Sequence, residues 1–256
     1  MGAAFDIAYV FRFVPMLLTT LDVTLRIVAG ATLLGLIAGL LVALPRLYRV
    51  PVLQNISQAY VSFFRGTPIL IQLFLFYYGL PELLKFAHID VTRAPVLLFV
   101  IATYGLNGGA YMSEMIRSAV LAVDRGQAEA AYAIGMSGYR TFTRIVLPQA
   151  LPVALPLFAN AVIAMLKDTS LAFTLGVMEL TGKSQTLGML TRHFTETYLS
   201  LALIYLLISL ALEKLFRQAE RRLLRHEREP SADVPRRSRR MRLLLRRPAG
   251  KGDVSL

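Results

Sequence analysis

Five long apolar stretches, each carrying two charges at most, constrain this chain more than any other feature of its sequence. They cover Ile27 to Leu44, about Ile56 to Leu80, Ala94 to about Ala122, about Gln149 to Leu166, and Thr197 to Leu212. A charge at mid-bilayer costs about 2.5 to 3.5 kcal/mol on an insertion scale, and about 20 apolar residues cross the hydrocarbon core. The pattern predicts an all-α polytopic membrane protein with about five transmembrane helices. Ten-residue alternation separated by turns, the signature of a membrane barrel, is absent. The chain is 55% hydrophobic and 17% charged, too apolar for an ordinary soluble domain. Two spans carry an internal interruption. Arg65-Gly66-Thr67-Pro68 predicts a kink or break. Lys167-Asp168 stops the fourth span before a short apolar piece resumes from Leu171 to Met178. Pro45 is expected to end the first span.

The net charge of +12 could suggest nucleic acid, but its distribution argues otherwise. Residues 213 to 256 hold fourteen basic and six acidic residues, a net of +8, which beside a membrane reads as attraction to anionic lipid. With five spans, twenty basic residues fall on one face and five on the other. The positive-inside rule then puts the amino terminus outside and the tail in the cytoplasm. No basic leader or small-residue cleavage site precedes the first span, so that helix is expected to be retained. The chain has no cysteine, and His88, His193 and His226 form no ligand pair, so neither a metal site nor a catalytic centre is expected.

Between the third and fourth spans lies a loop, Asp124 to Pro148, that is polar yet rich in helix formers. Gln127 to Met136 reads as a short helix with Gly135 as its C-terminal stop. Ala128, Ala131, Tyr132 and Gly135 fall at i, i+3, i+4 and i+7, a small-and-aromatic face suited to another protein's groove.

Glu129-Ala130-Ala131, three residues, Gly135, nine residues, then Ile145-Val146-Leu147-Pro148 resembles the EAA loop of ABC importer permeases. Phe64-Arg65-Gly66-Thr67-Pro68, Gly109-Ala110-Tyr111 with Glu114 and Arg117, Gly126-Gln127, Asn160 and Lys167-Asp168-Thr169-Ser170-Leu171 resemble its polar amino-acid branch, the histidine, glutamine and arginine permeases. The resemblance spans roughly residues 14 to 217. It implies a bacterial inner-membrane half-transporter that pairs with a second permease copy or a sister permease. Its other partners would be ABC ATPase subunits and a periplasmic binding protein that delivers a polar amino acid. It implies a division into a short periplasmic N-terminus (1–15), a permease domain (16–217) and a basic cytoplasmic tail (218–256) expected to be disordered. It also assigns ATPase coupling to Gln127, Glu129, Ala130, Ala131, Gly135, Ile145, Leu147 and Pro148.

No cofactor is expected in this chain, and ATP and Mg belong to the partner ATPase. Gly182-Lys183-Ser184 is similar to the end of a phosphate loop, but Gly176 lies six residues before Gly182 and no strand precedes it. Arg65, Glu114, Asn160, Lys167 and Asp168 are the candidates for the solute path, because ionisable groups at membrane depth are costly and tend to be functional. Lys167-Asp168 reads as a lining of that path or a hinge beside it, and the other three have a structural reading beside the functional one. Arg65 could bond carbonyls freed by Pro68, Glu114 could pair with Arg117, and Asn160 could join two helices. Gly35 with Gly39, and Gly105 with Gly109, read as small-xxx-small helix contacts. A secondary transporter or a channel subunit for small polar solutes is the alternative. The first would show inverted repeats, and the second would not need the Gln127 to Met136 element.

Overall fold

Residues 5–223 are described in the computed structural model of this chain, and among them every regular element is a helix. In chain order these are α1 (Ile7–Leu18), α2 (Leu21–Leu47), α3 (Pro51–Gly66), α4 (Ile69–Lys85), α5 (Val96–Leu121), α6 (Arg125–Ala133), α7 (Gly138–Leu175), α8 (Leu180–Thr191) and α9 (Phe194–Leu223). Four of them, α2, α5, α7 and α9, are long and apolar enough to cross a membrane. The pair α3 and α4 adds a fifth crossing when taken as one broken span, bent by 110°. The bend falls at Thr67 and Pro68, where the proline was expected to act. At the first span the helix runs past Pro45 to Leu47, since a proline in the last turn forfeits only its own N–H bond.

The spine of the molecule is α2 against α5. Gly35 and Gly39 of α2 face Gly105 and Gly109 of α5, so the two small-residue motifs pack on each other. A Cβ placed on Gly39 would stand 2.8 Å from the Met112 Cβ, and one on Gly109 would stand 2.8 Å from the Ala38 Cβ. The helices therefore meet backbone to backbone, as small residues allow where lipid offers no hydrophobic drive. Tyr60 of α3 joins this seam by donating to the Leu106 carbonyl at 2.5 Å.

Two prolines explain two local widenings. A π-helical turn occupies Leu75–Gly79 two residues before Pro81, and a second occupies Phe142–Val146 two residues before Pro148. Each proline lacks the N–H that would close a normal turn, and a wider turn accommodates the ring.

The amino-terminal segment, read from sequence as a short terminus, contains a helix with a buried face. Phe13 and Leu17 of α1 pack with Leu180, Leu187, Leu201 and Ile204. Its start is clasped to the start of α9. The Asp6 N–H donates to the Glu196 carboxylate at 2.9 Å, the same oxygen lies 2.8 Å from His193 Nδ1, and Ser200 Oγ donates to the Val10 carbonyl at 2.9 Å. Tyr9 stacks on His193 with ring centroids 3.9 Å apart. At the other end α9 continues to Leu223, so the first residues of the expected tail are helical. The remainder of that tail, from residue 224, lies outside the described residues.

Candidate functional site

The α3–α4 break and the point where α7 changes from an α-helix to a 3-10 turn open onto the same place. A cavity of about 410 Å³ is walled by Thr67 and Pro68 at the α3–α4 break, by Tyr104, Asn107 and Tyr111 of α5, and by Met165 and Asp168 of α7. Pro68 deprives the Phe64 carbonyl of its helical donor, and two side chains replace it. Gln72 Nε2 donates to that carbonyl at 2.9 Å and to the Thr67 carbonyl at 3.0 Å. Asn107 Nδ2 donates to the Phe64 carbonyl at 3.1 Å and to Gln72 Oε1 at 2.9 Å. Gln72 is fully buried, so its amide belongs to the wall itself. Lys167-Asp168 does not stop its span as expected: the helix runs on through both residues and tightens into the 3-10 turn Thr169–Leu175, where the buried Tyr104 donates to the Asp168 carbonyl at 2.6 Å.

Arg65 does not perform the bonding that the sequence offers as its structural role, because Gln72 and Asn107 already do. Its guanidinium lies over the Tyr111 ring, 5.4 Å from the centroid, and 4.0 Å from Glu114. Glu114 is a hub. Arg117 approaches one carboxylate oxygen at 3.0 Å, as the spacing predicts, and Arg46 from the end of α2 approaches the other at 2.5 Å. Sixty-eight residues separate Arg46 from Glu114, so no local pattern announces that pair. Asp168 lines the cavity and has no ion pair among the described residues, whereas Lys167 is exposed and does not line it. Asn160 stands apart in a small groove with Glu213, Phe216 and Arg217. The structure thus brings Asp168 to the cavity and Arg65 and Glu114 beside it, but not Asn160 or Lys167. Gln72, Asn107, Tyr104 and Arg46 escaped the sequence reading. Gln72 and Asn107 did carry a signal, as lone amides within apolar spans.

The loop between α5 and α7 is ordered as expected. Asp124 caps α6 by accepting from the Gly126 N–H at 2.8 Å. At the far end Gly135 has φ +83°, its N–H bonds the Tyr132 carbonyl, and the Met136 N–H bonds the Ala131 carbonyl. That paired closure ends a helix on a left-handed residue, the role the sequence assigns to Gly135. The small-and-aromatic face is divided between bundle and surface: Ala131 is buried and Ala128 half-buried, whereas Tyr132 and Gly135 are exposed, with Ala128 and Tyr132 lining a hollow against the ends of α2 and α5. Gln127, Glu129, Ala130 and Ile134 are left on the exposed side. Ile145 sits in the π-helical turn, and Leu147 and Pro148 begin the α-helical part of α7 that runs to Asp168. The Gly182-Lys183-Ser184 segment lies in α8, whose N-terminus is already occupied by a side chain: the carboxyl group of Glu179, fully buried, accepts from the Gly182 N–H at 2.9 Å.

Known proteins share this architecture. A family model described as "Binding-protein-dependent transport system inner membrane component" matches residues 31–225. The L-cystine transport system permease protein TcyL of Bacillus subtilis is 45% identical, over 89% of this chain and 95% of its own length. The glutamine transport system permease protein GlnP of Escherichia coli is 33% identical, over 86% of this chain and 98% of its own. A solved structure of an amino acid ABC transporter with histidines superposes with a TM-score of 0.76 at 30% identity, covering 86% of this chain and all of that one.

Proposed function

The chain belongs to the family of binding-protein-dependent transport system inner membrane components, and from that premise we propose that it carries a polar amino acid through the cavity at the α3–α4 break. As a member it is the transmembrane permease component of an ABC importer, a multi-pass inner-membrane transport subunit that works with an ATPase and a solute-binding protein. Relatives named for L-cystine and glutamine support an amino acid as cargo. The observation that carries the proposal is that the broken α3–α4 span and the point where α7 tightens into its 3-10 turn meet at one cavity, lined by a carboxylate with no ion pair among the described residues.

In this reading Asp168 receives the solute's ammonium group, and Arg65, poised over Tyr111 and tethered by Glu114, offers the opposite charge. Asn160 and Lys167 are exposed on a spanning helix, where lipid is a poor neighbour for either. They line the path where a second permease copy or sister permease completes it. The exposed side of α6, with Gln127, Glu129 and Ala130, meets the ATPase. Ala131, Gly135, Ile145, Leu147 and Pro148 hold that helix against the bundle and hand its displacement to α7. ATP and Mg reside on the ATPase. The amino terminus lies outside and the basic tail lies in the cytoplasm beside anionic lipid.

Reconstitution into proteoliposomes with the ATPase and the binding protein tests the proposal. Uptake of a polar amino acid is expected only with both partners and ATP. Uptake driven by an ion gradient without ATP would make the chain a secondary transporter and overturn it.

A further inference from the structure

Two carboxyl groups among the described residues are almost wholly buried, Glu196 at 2% exposed and Glu179 at 0%. Glu196 has His193 beside it. Glu179 has no ion pair among the described residues, and its partners are an amide and a hydroxyl instead. One of its oxygens accepts from the Gly182 N–H at 2.9 Å, and the other lies 3.3 Å from the Tyr205 hydroxyl of α9. The charges of the elements packed on it are engaged elsewhere or stand apart. Asp22 and Arg26 of α2 pair with each other, Arg12 of α1 lies over the Tyr9 ring, and neither Lys183 of α8 nor Lys167 or Asp168 of α7 pairs with it. The titratable groups near it are the Tyr104 and Tyr205 phenols. A buried carboxylate without a cation is costly, and a group so placed keeps its proton. Burial pushes the Glu179 carboxyl up from its ordinary value, against the hydrogen bonds it accepts.

The surroundings of Tyr205 make that proton matter. Its hydroxyl has one hydrogen and three oxygens within reach: Glu179 at 3.3 Å, Thr181 at 3.4 Å and Thr169 at 3.5 Å. Thr169 gives its own hydrogen to the Leu166 carbonyl at 2.7 Å, so toward Tyr205 it can only accept. An ionised Glu179 has no hydrogen to give, so it would draw the Tyr205 hydrogen to itself and leave Thr169 without it. A neutral Glu179 donates to Tyr205, which donates to Thr169, which donates to Leu166. Both hydroxyls then give once and receive once. Thr169 follows Asp168, which lines the cavity and whose carbonyl Tyr104 holds from α5 at 2.6 Å. Tyrosines from two spans thus grip consecutive residues of one turn.

We propose that Glu179 keeps its proton in the folded chain and serves as a positioning residue for the solute path. Through Tyr205 it fixes Thr169, and with Thr169 the direction in which Asp168 faces the cavity. Its neutrality also leaves the negative charge at that turn to Asp168, where a solute ammonium needs it. The role rests on the solute path assigned above.

Infrared difference spectroscopy of the full chain with its ATPase, in nanodiscs at neutral pH, tests the proton. Subtracting the Glu179→Gln spectrum from the parent's is expected to reveal one protonated-carboxyl stretch, and carboxylate bands in its place would overturn the proposal. Tyr205→Phe, which keeps Glu179, is expected to shift that stretch as its hydrogen bond is lost. An unshifted stretch would be equally fatal, so the matter is decided even if Glu179→Gln fails to fold. Uptake from a mixture of tritiated amino acids, in proteoliposomes with the ATPase, the binding protein and ATP, tests the positioning. Tyr205→Phe and Glu179→Ala are each expected to lower uptake about fivefold, the effect of one neutral hydrogen bond, and the conservative Glu179→Gln to rescue what Glu179→Ala loses. In an Asp168→Ala background Tyr205→Phe is expected to cost nothing further, because it acts through Asp168. Losses that multiply would make the pair merely structural and refute the positioning role alone. Normal uptake by Asp168→Ala would refute that role and the solute path together.

Discussion

The α2–α5 seam and the α3–α4 break lie side by side and are built by opposite means. In the seam, glycines remove side chains until backbones touch, and nothing polar is left over. At the break the backbone is interrupted, and Gln72 and Asn107 must return the hydrogen bonds that Pro68 takes away. The seam has one way to fit, because packed atoms cannot be compressed. The break is held by side-chain donors, and of the residues that take part Thr67 and Asn107 also line the cavity. Close packing and polar repair thus adjoin, and the cavity sits on the repaired side.

Substitutions probe that division. The largest effect is expected at the seam. Gly39→Val puts its new carbons 2.8 Å from the Met112 Cβ and 3.1 Å from the Gly109 carbonyl. It should destabilise the bundle by about 3 kcal/mol, the upper part of the range for overpacking, and the yield of monodisperse protein after size exclusion should collapse. A Gly39→Val protein as heat-stable as the parent would show that the seam is not the scaffold.

Next comes the cavity. Asp168→Ala should leave membrane insertion intact and lower ATP-driven uptake by about tenfold or more, since a charge-assisted contact contributes about 1.5 to 3 kcal/mol. Normal uptake by the inserted variant would remove Asp168 from the path.

The loop should respond more moderately. Gly135→Val places a β-branched residue at φ +83° with open space around it, so the cost is conformational, about 1 to 2 kcal/mol, rather than steric crowding. ATP hydrolysis by the bound ATPase should continue while uptake falls. Full coupling with the ATPase attached would mean that force passes elsewhere.

The smallest effect is expected at Gly66, inside the break. A Cβ there meets nothing within 4 Å and the residue is not left-handed, so Gly66→Ala should stay within about 0.5 kcal/mol in a thermal shift. A large loss at Gly66 would blur the contrast between the two regions.

What the sequence revealed follows the same divide. Features set by one residue's own chemistry were legible: the bend at Pro68, the left-handed closure at Gly135, and the glycine pairs of the seam. The spacing of Glu114 and Arg117 announced their pair because both stand on one helix face. Arg46 did not announce itself, since its partner is reached only after α2, α3 and α5 have assembled. The amides that rebuild the break were visible as polar intruders, but their targets were not, because a carbonyl leaves no mark in a sequence. The burial of Ala131 was likewise hidden, because which part of the small α6 face meets the bundle is set only once α2 and α5 end above it.

The clasp between α1 and α9 has a consequence for how the chain is made. Asp6 and Val10 find their hydrogen-bond partners 190 residues downstream, at Glu196 and Ser200. At a synthesis rate of about 5 to 20 residues per second, α1 waits roughly 10 to 40 s at the ribosome before those partners exist. Throughout that interval Phe13 and Leu17 lack the leucines that later cover them. Helix α1, made long before its partners, is therefore among the last to settle, and its closure marks a polypeptide translated far enough to include α9.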